Sequence, residues 1–233
     1  MKKSEKKLRQ AIIDQCLFMN ACGLNQGTSG NISARYHDRM LITPSATPYD
    51  KLTPEMIASM PFDADYGTWD GPLKPSTEWR FHFDILKNRT DMGAVVHAHP
   101  TYCTALAMAH KEIPAAHYMI AAFGGTNVRC APYARFGSPE LSKLAIEALE
   151  GRTACLLANH GSIAMGETLD KAMWRAVELE TIARQYHLSL SIGGGPFILT
   201  DDQIAETMAA FGSYGVQDDY KDIAAGTKRE VKA

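Results

Sequence analysis

The chain has 233 residues, 24 Lys+Arg against 26 Asp+Glu, 45% hydrophobic and 21% charged residues. That length fits one large domain with ample material for a core, and a net charge of −2 excludes nucleic-acid binding by bulk basicity. Five cysteines (16, 22, 103, 130, 155) are an odd number without framework spacing, and no apolar run approaches membrane-spanning length; both point to a reduced, cytoplasmic protein.

The basic start Met1–Lys7 has the character of an export-signal n-region, but Asp14 and Gln15 break the apolar stretch behind it. Leu8, Ile12, Gln15, Leu17 and Met19 recur at helical spacing, so an amphipathic helix is predicted over Leu8–Cys22, ending at Gly23. In chain order there follow predicted strands at Asn31–Tyr36 and Met40–Thr43, a helix at Thr77–Lys87, a strand at Ala94–His99 and a helix at Thr101–Ala109. A strand at Val128–Pro132, a helix at Pro139–Leu149, strands at Ala154–Ala158 and Ser162–Met165, and helices at Leu169–Leu190 and Asp201–Phe211 complete the series. The long helix is carried by Leu169, Ala172, Met173, Ala176, Val177, Glu180, Ala183 and Tyr186 on one face, and the last by a Thr200/Gln203 capping box. Strands and helices interleave without a composition break, which predicts one α/β domain over residues 1–217 and a polar, fraying tail over 218–233.

His97-Ala98-His99 closes the apolar run Ala94-Val95-Val96 and precedes Pro100. On a strand, residues two apart share a face, so both imidazoles project from one spot. That is half of a tetrahedral metal site, although two ordinary polar residues at a strand terminus would look the same. A second apolar run, Leu156-Leu157-Ala158, delivers His160 ahead of Gly161. Three histidines with no competing Cys-x-x-Cys pair match a catalytic zinc site, which keeps one open position. Pro75-Ser76-Thr77-Glu78 then opens an apolar helix. Its plain reading is a helix cap with a favourable first-turn carboxylate; its chemical reading is an anion-binding helix start with Glu78 as an acid/base beside the metal. Gly27-Thr28-Ser29-Gly30-Asn31 and Thr43-Pro44-Ser45-Ala46-Thr47 are two further hydroxyl-rich turns that either merely turn the chain or offer amides and hydroxyls to an anion.

Taken together, Gly23–Ser33, Leu41–Pro44, Pro48–Thr53, Pro75–His82, Val95–His99, His117–Ala122, Ala131–Tyr133 and Asn159–Gly161 resemble the class II aldolase/adducin family, from about Leu8 to Tyr214. The resemblance implies a mixed, mainly antiparallel central sheet flanked by helices, assembled as a homotetramer with an inter-subunit active site. It implies one Zn2+ per chain on His97, His99 and His160, and Glu78 as the catalytic acid/base. It further implies substrate phosphate binding by Thr28, Asn31, Ser45, Ser76 and Thr77, a catalytic Tyr118 reaching across the subunit interface, a catalytic Tyr214 closing over the substrate, and Phe136 as a pocket wall. The implied reaction is reversible cleavage of a phosphorylated sugar, a ketose 1-phosphate such as L-fuculose 1-phosphate, to dihydroxyacetone phosphate and a small aldehyde. Three residues depart from the aldolase pattern: Ala46 in place of glycine, Asn159 in place of histidine, and Phe123 in place of a small residue near the aldehyde end of the pocket. These keep open 5-deoxyribulose or 5-methylthioribulose 1-phosphate as substrate, or a related epimerase or decarboxylase. A non-catalytic adducin-like scaffold lacks the metal set and is the weakest alternative.

Overall fold

Strands buried on both faces must be apolar at nearly every position, and the short apolar runs of this chain become such strands. The computed structural model describes residues 1–211. Its elements are α1 (Lys3–Ala21), β1 (Asn31–Tyr36), β2 (Arg39–Ile42), β3 (Ala58–Pro61), α2 (Trp79–Asn88), β4 (Ala94–Ala98), α3 (Thr101–Met108) and β5 (Ile113–Pro114). There follow β6 (Asn127–Val128), β7 (Cys130–Ala131), α4 (Pro139–Ala148), β8 (Ala154–Leu157), β9 (Gly161–Gly166), α5 (Leu169–Ser189) and α6 (Asp201–Phe211). The main sheet has seven strands in the order β3-β2-β1-β4-β9-β8-β7. Every neighbouring pair is antiparallel except β7–β8, which is parallel. This is the mixed, mainly antiparallel sheet of one α/β domain that the resemblance implies. The expected boundary at 217, the tail 218–233 and Tyr214 lie outside the described residues.

Alternation along each strand divides the core in two. Ile32, Ala34, Ala94, Val96, Leu156 and Ala164 face α1, α3 and α5. Met40, Ile42, Val95, Ile163 and Met165 face Phe81, Phe83 and Leu86 of α2 and Leu141 and Ala145 of α4. The two layers leave little freedom of register, because a slip by one residue would exchange the faces.

Several boundaries move from the sequence expectation for identifiable reasons. Helix α1 begins five residues early, at Lys3, where Arg9 pairs with Glu5 at 2.6 Å and also bonds the carbonyls of Pro54 and Ile57. Its buried face is Ile12, Ile13, Cys16 and Met19; Leu17, expected inside, is exposed. Strand β3 was not expected; it is short, ends in Pro61 and lies at the sheet edge, where a residue without an N–H is tolerated. The expected strand Val128–Pro132 divides: β6 pairs with β5 in a small ribbon, while β7 joins the main sheet. Glu180, expected on the apolar face of α5, accepts the free backbone N–H groups of Tyr102 and Cys103 at 2.9 Å each and so caps α3. The Thr200/Gln203 capping box forms as expected, at 2.9 and 3.3 Å. All five cysteines are free thiols, and no helix among the described residues is long and apolar enough to cross a membrane.

Ala46 sits at φ +50°, in the left-handed region where a Cβ crowds the following carbonyl. Glycine there relieves roughly 1–2 kcal/mol of crowding and gives back about 0.5–1 kcal/mol in unfolded-chain freedom. Ala46→Gly is therefore expected to stabilise the protein by about 0.5–1 kcal/mol, a rise in Tm on the order of 1–4 °C, measured by urea and thermal unfolding.

Candidate metal centre

Strand β4 ends at Ala98, so His97 lies within the sheet and His99 just past its end, both on the face towards α2. The fully buried His97 directs Nδ1 at the carbonyl of Ser162, 2.9 Å away. A carbonyl only accepts, so Nδ1 carries the hydrogen and Nε2 presents a lone pair. That nitrogen is 3.0 Å from His99 Nε2. His160 closes the group from the β8–β9 turn, its ring centre 4.8 Å from that of His97 and 4.9 Å from that of His99. Gly161 permits this by the absence of a side chain: a Cβ there would stand 2.5 Å from the Ala98 carbonyl oxygen and 2.7 Å from the His99 ring.

Glu78 comes from the other direction. The expected helix Thr77–Lys87 starts only at Trp79, because Glu78 leaves helical geometry at φ −100°, ψ 12°. Its N–H is held by the Ser76 hydroxyl at 3.2 Å, and its carboxylate turns inward instead of serving as a first-turn charge. Oε2 accepts from Asn31 Nδ2 at 3.0 Å and lies 3.2 Å from His97 Nε2. Oε1 lies 3.1 Å from His160 Nε2 and has no hydrogen-bond donor, although it is buried. Glu78, His97, His99 and His160 thus bring four donor atoms within 4.8 Å of one another.

Burial alone would raise the Glu78 carboxyl, but positive charge at His97 and contacts with His160 and His97 outweigh burial and hold it well below the usual carboxylate range; a proton on these rings or, when their lone pairs are bare, a bound cation supplies that charge. Burial, with the neighbouring His97 and His160, pushes His99 down to about 4. An ionised carboxylate and imidazole lone pairs are all acceptors, and acceptors crowded together without hydrogens suit a cation. Tetrahedral nitrogen ligands at about 2.0–2.1 Å from an ion stand roughly 3.3 Å apart, close to the 3.0 Å between the Nε2 atoms of His97 and His99. The donor set, imidazole with one carboxylate, therefore fits a divalent metal ion.

A cavity of about 340 Å³ opens onto three of the four donor residues, Glu78, His99 and His160, and is lined besides by Thr77, Tyr133, Phe136 and Asn159. Phe136 is thus where the resemblance implies a wall, and Tyr133 joins it unanticipated. Of the expected phosphate residues, Asn31 and Ser76 bond Glu78 and Thr77 lines the cavity. Ser45 N bonds the Lys74 carbonyl at 3.1 Å and Ser76 N the Thr43 carbonyl at 2.9 Å, so the two loops are stitched together. Thr28 and Thr77 are exposed, Ser45 is half-buried, and Ser76 and Asn31 are buried. One expectation is corrected. Phe123 is fully buried in the core below α5 and does not line the cavity. Asn159 adopts φ +55°, a conformation that asparagine tolerates well, and its Oδ1 accepts from His110 Nε2 at 2.6 Å. Tyr118 lies on a 3-10 turn, Tyr118–Phe123, 46% exposed and outside this chain's own cavity.

His82 was not singled out in the sequence. Its ring is fully buried, with Ser33 Oγ 2.8 Å from Nδ1 and Asn31 Oδ1 2.5 Å from Nε2. The available signal was spacing: His82 follows Glu78 by four residues, and Asn31 and Ser33 share a strand face.

Two outcomes test this geometry. Gly161→Ala should push the His99 ring aside and weaken metal binding by about 10–100-fold, read by chelator competition and metal analysis. The second concerns pH. Burial is the main cause that pushes His82 down to about 3, against an ordinary 6.5. Below 6.5 the unfolded chain takes a proton that folded His82 refuses, so stability is present above 6.5 and falls as pH drops towards 3. Urea titrations of chelator-treated protein should show this loss, and His82→Gln should flatten it by one proton, about 1.4 kcal/mol per pH unit.

Residues 10–187 match the family model described as the class II aldolase and adducin N-terminal domain. Over 211 residues the chain is 47% identical to the L-fuculose phosphate aldolase of Escherichia coli (strain K12), covering 91% of this chain and 97% of that one. It is 48% identical over 208 residues to a 5-methylthioribulose-1-phosphate/5-deoxyribulose-1-phosphate aldolase of Rhodospirillum rubrum, covering 89% and 92%. Among solved structures, an L-fuculose 1-phosphate aldolase superposes with a TM-score of 0.85 at 35% identity, covering 91% of this chain and 98% of the other.

Proposed function

The chain belongs to the class II aldolase and adducin family, and from that membership we propose that it reversibly cleaves a ketose 1-phosphate to dihydroxyacetone phosphate and a small aldehyde. The observation that carries this reading is the buried Glu78 carboxylate, with one oxygen left unpaired among three imidazoles. A scaffold protein has no use for so costly an arrangement.

In this reading the ion is zinc, held by His97, His99 and His160 with Glu78 as an exchangeable fourth donor. Zinc supplies Lewis-acid stabilisation of the negative charge that develops on substrate oxygens as the C3–C4 bond breaks. Glu78 moves the proton at C3 of the dihydroxyacetone phosphate half, as acid in cleavage and as base in synthesis. Thr28, Asn31, Ser45, Ser76 and Thr77 hold the phosphate through hydroxyls and amides. Asn31 has one N–H left for this after serving Glu78. Binding the phosphate remotely orients the reacting carbons. Phe136, with Tyr133 beside it, walls the aldehyde side. Tyr118 serves a neighbouring subunit of a homotetramer, at the C4 hydroxyl. Its exposure and its absence from this chain's own cavity support that assignment. Tyr214, outside the described residues, completes the set over the substrate. The protein is placed in the cytoplasm, in keeping with its free cysteines.

L-Fuculose 1-phosphate is the first substrate of choice. The 5-deoxy and 5-methylthio pentulose 1-phosphates form the second, because the relative named for them is just as similar. Zinc-loaded protein offered each sugar phosphate, with product coupled to a dihydroxyacetone-phosphate reductase, should turn over at least one of them. Glu78→Gln should lower turnover by about two to four powers of ten and stop deuterium exchange at C3 of dihydroxyacetone phosphate. Epimerised pentulose 5-phosphate or released carbon dioxide, with no dihydroxyacetone phosphate, overturns the aldolase reading.

A further inference from the structure

We propose that His82 is a positioning residue for Glu78, acting through Asn31: a hydrogen-bond chain Ser33–His82–Asn31–Glu78 fixes one carboxylate oxygen and leaves the other free for proton transfer. The proposal deepens the aldolase reading and rests on Glu78 being its acid/base.

Each link has one direction only. Asn31 Nδ2 lies 3.0 Å from Glu78 Oε2 and donates to it. The other end of that amide, Oδ1, then faces His82 Nε2 at 2.5 Å, and an amide oxygen also only accepts. His82 Nε2 must therefore carry the hydrogen. A neutral imidazole has one N–H, so Nδ1 is the lone-pair nitrogen, and the Ser33 hydroxyl donates to it at 2.8 Å. An acceptor at one end thus sets the tautomer of a fully buried histidine at the other. Were the Asn31 amide to flip, Oδ1 would face Oε2, and two oxygens without a hydrogen would repel.

The backbone makes the chain rigid. Asn31 and Ser33 are alternate residues of β1, on the face towards α2, and Asn31 stands directly opposite His97 in the sheet register. Glu78 is the cap residue of α2 and His82 its fourth residue, about one turn further on. The Phe81 ring stacks on His82 at 4.7 Å and meets His97 edge-on at 5.3 Å. The two oxygens of Glu78 are thereby made unequal: Oε2 is tied to Asn31, whereas Oε1 has no donor. A histidine serving the core alone would not need both nitrogens committed to a path that ends on the reacting carboxylate.

The test compares His82→Phe, which keeps a ring and removes both links, with His82→Gln, whose amide restores a donor to Asn31. In the zinc-loaded enzyme His82→Phe should lower kcat and C3 deuterium exchange together by about 10–100-fold, the range for lost outer partners, with KM and bound metal nearly unchanged. His82→Gln should recover most of that loss. Independently of any activity, 15N spectra of histidine-labelled wild-type protein should show His82 protonated at Nε2 and bare at Nδ1. Unchanged kcat in His82→Phe, a His82→Gln no better than His82→Phe, or the Nδ1–H tautomer in wild type would each overturn the proposal. Should His82→Phe fail to fold, Ser33→Ala takes its place. It should lower kcat by about 3–10-fold at constant KM, below the full outer-partner effect, and no change in kcat would count against the chain. Wild type that yields no dihydroxyacetone phosphate from any sugar would defeat the aldolase reading instead, and the tautomer would then decide the chain alone.

Discussion

Taking an ionised carboxylate out of water costs several kcal/mol even after the protein relaxes, unless charge and hydrogen bonds compensate it. Glu78 is 5% exposed and ionised, so the surrounding structure is organised around that cost. Helix α2 starts two residues later than expected, which lets the carboxylate turn in, and β1 contributes Asn31 to hold one of its oxygens. The remaining oxygen lies 3.1 Å from His160 Nε2 without a hydrogen bond, within a cluster of four donor atoms for which a divalent ion is the natural counter-charge.

The sheet accomplishes this through register. Because β1 and β4 pair with Asn31 opposite His97, the amide that steadies the carboxylate and the imidazole beside it are placed by the same ladder. Because β9 pairs with β4, the Ser162 carbonyl lies where it can orient His97 through Nδ1. Ladder positions are over-determined by two apolar layers, so the donors inherit the rigidity of the core. The loops beyond the strand ends, which carry Ser45 and Ser76, are stitched to one another by backbone bonds.

The metal set was legible because its signals are local: alternate histidines on a strand end, and an apolar run that delivers His160. Glu78 was legible only as one of two readings, since a cap and an acid/base look alike until the carboxylate's direction is known. His82 escaped notice because its partners lie about fifty residues away in sequence, and strand-to-helix register is not written in any local pattern. Phe123 was misplaced for the opposite reason: a family position was carried over to a side chain that the core buries completely. Interleaved strands and helices pointed equally to a parallel sheet, and the antiparallel order came from the resemblance alone. The buried face of α1 shifted because Ile13 and Cys16, not Leu17, complete the stripe.

Strand β4 has its neighbours at very different distances along the chain. Its partner β1 is made before it, but β9, on its other side, ends only at Gly166. During synthesis, which runs from the N-terminus, β4 therefore waits as an open edge while some seventy further residues are added. His97 and His99 sit at the end of that edge, and His160 arrives with the strand that closes it. The complete donor set thus comes into being only as the sheet closes, so that a half-made chain offers an ion Glu78 and two histidines but no finished site.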